Sequence, residues 1–170
     1  MVWFWYFIFY SFLGFLLEVA FSRLTGGRRE RKMLLFLPLC PVYGLGACSI
    51  LWAAEAVSSP LLLFPVGAVL ASAWEYIAAA FYEDALGVSF WNYSDVPFDL
   101  HGRICLPFSI AWGFLSLPLT AWLHPLVEGI AFAPPGWVTA LMLCALCADA
   151  VLSCLLLAQT GRVESLAWYK

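Results

Sequence analysis

Residues 2–32 read VWFWYFIFYSFLGFLLEVAFSRLTGGRRERK, and this stretch decides the fold. From Val2 to Phe21 the only charged side chain is Glu18. A bilayer core takes about 20 apolar residues per helix, so residues 2–21 predict one crossing. The run then gives way to Arg23, Arg28, Arg29, Arg31 and Lys32. Lys and Arg are retained on the cytoplasmic side, so the same stretch also predicts orientation. It lacks a cationic leader and a small-x-small cleavage site, which predicts a retained helix rather than a signal peptide.

The rest of the chain extends this reading. Of 170 residues, 64% are hydrophobic and 11% charged, and the mean hydropathy is +0.90. Soluble domains carry about 45–50% apolar and about 25% charged residues. The excess needs lipid to face. That excludes a soluble enzyme, a disordered tail and a disulfide-stapled secreted domain. The net charge of −3 argues against a nucleic-acid partner. The length predicts a single transmembrane domain over 1–170. Four further apolar runs cover about 33–54, 60–82, 104–123 and 136–158. The predicted fold is therefore all-α, a polytopic bundle of five transmembrane helices. Pro65, Pro107 and Pro118 lie inside runs, where membrane helices tolerate them.

Five spans put all eight Lys and Arg on one side. These fall in the basic loop 22–32, at Arg103, and at Arg162 and Lys170 after the last span. The other side carries Glu55, His124 and Glu128. Four or six spans would break this separation. The expectation is a cell-membrane protein with its N-terminus outside and its C-terminus in the cytoplasm. The basic loop reads either as topology plus attraction to anionic lipid, about 1 kcal/mol per charge, or as a dock for a cytoplasmic partner or headgroup.

Ionisable groups inside a span cost about 2.5–3.5 kcal/mol each. Glu18, Glu75 and Asp149 lie in spans, and Arg103 just before one. All four are expected to converge on one level toward the cytoplasm, with the Arg103 fork available to a carboxylate. One reading is a buried ionic knot that fixes helix packing. The other is a cytoplasm-facing cavity for a polar solute, an ion or a headgroup. Asp149, between Ala148 and Ala150, reads as structural.

Two segments depart from plain helix. Residues 37–46, LPLCPVYGLG, hold two prolines and two glycines, which predicts a broken second helix and makes Cys40 and Tyr43 candidate site residues. Kinking with close packing at Gly44 and Gly46 is the alternative. Residues 83–103 mix aromatics with turn formers, among them Trp91, Asn92, Tyr93 and Asp99. They read as a folded or re-entrant plug, or as an interfacial aromatic belt.

Cys144 and Cys147 form a C-x-x-C inside an apolar run, where small buried side chains are expected rather than redox chemistry. Cys40 and Cys105 lie near the same face and could meet. His101 and His124 fall on opposite sides, so no metal site is expected. No phosphate loop, nucleophile elbow or cofactor fingerprint occurs, and any ATPase would be a separate chain.

Several stretches together resemble the CmpB-type family of ABC-transporter permeases (ABC-transporter type IV), and are similar to a group of small vertebrate transmembrane proteins. They are Tyr10–Gly14 with Glu18, Pro38–Gly46, Ser72–Tyr76, Trp91–Ser94 with Pro97, and Gly102–Cys105 with Ser109, Trp112 and Gly113. Asn92 stands where the family usually has Asp, and Asp99 where it has Asn. The resemblance implies a transport role and names no substrate or catalytic residue.

The expected function is a permease-like component. Glu18, Glu75 and Arg103 would line its cavity, with Tyr43 and Asn92 as polar walls. Five helices make a small pathway, so a homodimer, an ATPase or other membrane subunits are expected as partners besides lipid. A membrane scaffold without a substrate is the alternative. An intramembrane enzyme acting on a lipid headgroup is a third, with Glu75 or Asp99 as acid/base and Arg103 as phosphate grip.

Overall fold

The computed structural model describes residues 2–25, 33–129 and 134–166. Among these, helix α1 covers Val2–Leu24, α2 Pro41–Ala54 and α3 Pro60–Leu86. Helix α4 runs over Leu106–Gly129 and α5 over Gly136–Thr160. Strands β1 (Asp99–Leu100) and β2 (Ile104–Cys105) form a small antiparallel ladder before α4. Arg28, Arg29, Arg31, Lys32 and Lys170, on which the orientation argument leans, lie outside the described residues.

Helices α1, α3, α4 and α5 are each long and apolar enough to cross a membrane. Large apolar side chains point away from the bundle: Leu61 is 83% exposed, Trp122 71% and Trp137 67%. Water would penalise such a surface, whereas hydrocarbon matches it. The chain is thus a mostly helical, multi-pass membrane protein.

The second expected span differs. Only Pro41–Ala54 is helical, 14 residues, or about 21 Å against a hydrocarbon core of about 30 Å. Residues 33–40 are irregular. Pro41 occupies the first turn of α2, where a missing N–H costs nothing. The prolines thus delay the helix rather than kink it.

Pro118 has a different effect. It cannot donate to the preceding turn, and the backbone widens into a π-turn over Leu119–Leu123 before α-helix resumes at His124.

Helix α1 packs on α2, α2 on α3, and α3 on α4. Small residues permit the closest approach. A Cβ on Gly14 would overlap the Tyr43 side chain, and one on Gly44 would overlap Ser11 Oγ. Helix α5 is tied in at both ends. The Trp5 indole donates to Thr139 Oγ1 at 3.1 Å. At the other end Leu157 packs with Tyr82, Leu86, Val88, Phe90 and Leu166.

Candidate functional site

Buried residues recur along α3 at Ala71, Ser72, Glu75, Ala79, Tyr82 and Leu86, a three-to-four spacing that defines the inward stripe. Glu75 belongs to it and is 5% exposed. Hydrogen bonds from Ser72 to Ser109 (2.7 Å) and from Trp74 to Ser49 (2.8 Å) hold α3 against α4 and α2 in that rotation. On α1 the buried residues are Tyr10, Ser11 and Gly14, and Glu18 follows one turn further on.

Neutral donors meet both carboxylates. Tyr93 donates to Glu75 Oε1 at 2.8 Å, and the Trp112 indole to Glu75 Oε2 at 2.9 Å. Tyr43 donates to Glu18 Oε1 at 2.8 Å. The Tyr43 and Trp112 rings meet edge to face at 5.0 Å, which joins the two halves of the cluster.

Tyr93 is delivered by the segment between α3 and α4. Its N–H donates to the Gly102 carbonyl (2.7 Å), and the Trp91 indole to the Arg103 carbonyl (2.9 Å). Asn92 Oδ1 accepts from both the N–H and the hydroxyl of Ser94. This turn needs only an oxygen at position 92, so an amide serves as well as a carboxylate. Asp99 accepts from the Gly102 N–H at 2.7 Å. Gly102 has φ +68°, and a Cβ there would meet Asn92 Oδ1 and Ser94 Oγ at 2.7 Å. The segment is therefore folded. Burial pushes the Tyr93 phenol up, Glu75 adds to that, and Tyr93 stays a donor.

Around these groups lies a cavity of about 500 Å³. It brings together seven candidates: Glu18, Cys40, Tyr43, Glu75, Trp91, Asn92 and Tyr93. Asp99 and Arg103 do not line it. Trp112 and Phe108 do, and the sequence reading had not selected them as site residues. An aromatic in an apolar run reads as core, although Trp112 stood in a family-like stretch. Among the described lining residues none is cationic.

Arg103 corrects the expected convergence. Its Nε donates to Glu83 Oε2 at 2.7 Å and its Nη2 to Asp84 at 3.3 Å, while the guanidinium lies 5.2 Å from the Tyr76 ring centre. The hydrogen bond to Glu83 holds its pKa above the ordinary arginine range. Acids at the end of α3 are nearer in the chain, and they take the fork that was expected to reach the span acids.

Asp149 is also apart from the cavity. Its two oxygens accept the backbone N–H groups of Phe36 (2.9 Å) and Leu37 (2.7 Å), and Ser153 donates to it at 3.1 Å. It pins α5 to the irregular stretch before α2. Cys144 and Cys147 are exposed on α5, not buried as expected, and all six cysteines are free.

The opposite end of the bundle holds a second polar group. The Tyr10 hydroxyl and His124 Nδ1 lie 2.9 Å apart, and His124 Nε2 is 3.6 Å from Glu128. A cavity of about 440 Å³ there includes Glu55. The π-turn sets the position of His124, and sequence carries no signal for that.

The family model described as "Putative ABC-transporter type IV" matches residues 5–156. The chain belongs to this CmpB-type family. The match covers most of α1, all of α2 to α4 and most of α5, and includes every residue of the polar cavity. No curated protein and no solved structure matches the chain.

Proposed function

We propose that this CmpB-family protein is a permease-like transport component whose cavity holds a small cation or protonated amine. One observation carries the reading. Two carboxylates, Glu18 and Glu75, share a cavity of about 500 Å³ whose described lining offers no Lys, Arg or His. Among the described residues the carboxylates are held by neutral donors alone, an arrangement that suits a cationic guest. The expected scaffold without a substrate would have a solid core at Glu75, and the cavity weighs against it.

In this reading the cavity opens toward the cytoplasm, on the side of the basic loop, with the N-terminus outside the cell. Residues 33–40 and α2 together make the fifth crossing, and Trp91–Tyr93 dip in as a re-entrant wall. One chain supplies one half of a pathway, and a second copy or a separate ATPase completes the machine.

The test is equilibrium binding of radiolabelled methylammonium to the full chain in nanodiscs. Saturable binding by the parent and about tenfold weaker binding by Glu75→Gln, at equal dispersity, is the expected result. Equal binding by both, or none by the parent, overturns it.

A further inference from the structure

An apolar cavity of about 560 Å³ adjoins the polar one, and Leu17, Val42, Tyr43, Trp112 and Leu115 line both. It lies between α1 and α4. The Tyr10–His124 contact closes these helices at one end, and the Phe21 and Phe108 rings meet at 6.2 Å at the other. Between those pins Leu16, Leu17 and Leu115 are 44%, 49% and 45% exposed, so the groove faces the surrounding hydrocarbon.

The groove's length selects an occupant. On α1 it runs from Tyr10 to Ala20, about 15 Å at about 1.5 Å per residue. This is half of a hydrocarbon core of about 30 Å, the depth of one leaflet. Charge selects its head. Where groove and polar cavity join, the acceptors are Glu18 and Glu75, which complement an ammonium and repel phosphate or carboxylate.

We infer that the substrate is a single-chain amphiphile with a protonated amine head. Its chain lies in the α1–α4 groove, its ammonium sits between Glu18 and Glu75, and it enters sideways from the leaflet. The inference rests on the cation-binding reading above and adds the chain to it. Ordinary bilayer lipid carries two chains and a phosphate, which the two carboxylates repel, and methylammonium has the head without the chain.

The test uses the full chain in phosphatidylcholine nanodiscs and a long-chain primary amine carrying a diazirine halfway along its chain. Photolabelling is expected on α1 near Leu13–Leu17 and on α4 near Leu115–Leu119. The unlabelled long-chain amine should displace it at about tenfold lower concentration than either the acid of equal chain length or methylammonium. Leu16→Trp changes an exposed residue that lines the groove and not the polar cavity; it should abolish labelling while methylammonium still binds. If methylammonium binds but the long chain gives no advantage, or Leu16→Trp changes nothing, this inference fails and the cation site stands. If the acid or the phosphatidylcholine background displaces the probe as well as the amine does, the groove holds annular lipid and the inference fails. If neither amine binds, both readings fail.

Discussion

Tyr43 of α2 donates its hydroxyl to Glu18 of α1 at 2.8 Å, one turn beyond Gly14, whose missing Cβ leaves room for the Tyr43 ring. One aromatic side chain thus packs against a glycine, orients a carboxylate and forms a wall of the cavity. The two roles separate by mutation. Tyr43→Phe keeps the ring and removes one hydrogen bond to a charged group, a loss of about 1–2 kcal/mol. Gly14→Ala places a methyl into the ring and costs about 1–3 kcal/mol. Thermal unfolding in detergent should rank them in that order, and only Tyr43→Phe should retain a native-like dispersity profile.

Asp149 is expected to act on the fold alone. Asp149→Ala removes the acceptor shared by Phe36, Leu37 and Ser153 and should cost about 3 kcal/mol or more. Asp149→Asn keeps one carbonyl oxygen and should cost roughly half as much. Methylammonium affinity of the surviving folded fraction should be unchanged in both, as judged by equilibrium dialysis.

Arg103 tests the correction to the expected ionic cluster. It pairs with Glu83 and Asp84 and stays outside the cavity. Arg103→Gln should lower the melting temperature slightly and leave cation binding within about twofold. A large change in binding would mean that its charge reaches Glu75 after all.

Much of this was legible along the chain. Apolar length marked α1, α3, α4 and α5 because a helix must satisfy its own backbone in lipid. The depth of Glu18 and Glu75 marked them as costly, and both line the cavity. Asp149 was read as structural from its alanine neighbours, and its hydrogen bonds tie α5 to the irregular stretch before α2. Partners were less legible. Arg103 was assigned to the span acids by depth alone, yet depth does not encode helix rotation, and Glu83 and Asp84 were nearer. Trp112 and Tyr10 were missed because an aromatic in an apolar run looks like packing until its polar atom finds a partner, and the pairing of His124 with Tyr10 depends on the π-turn. The prolines before α2 were read as a break within a helix, whereas an N–H-free residue at position 41 also starts one.

The account stands on a cavity that concentrates cations, and Cys40 in its wall reports this directly. In a chain whose other five cysteines are replaced, Cys40 should be modified by two thiosulfonates of similar size, one bearing an ammonium and one a sulfonate. Each rate is divided by that reagent's rate on the unfolded chain, which removes intrinsic reactivity. The account predicts that the ammonium reagent is favoured by about tenfold or more, and that Glu75→Gln narrows the gap. Equal normalised rates, or a preference for the sulfonate, would contradict it.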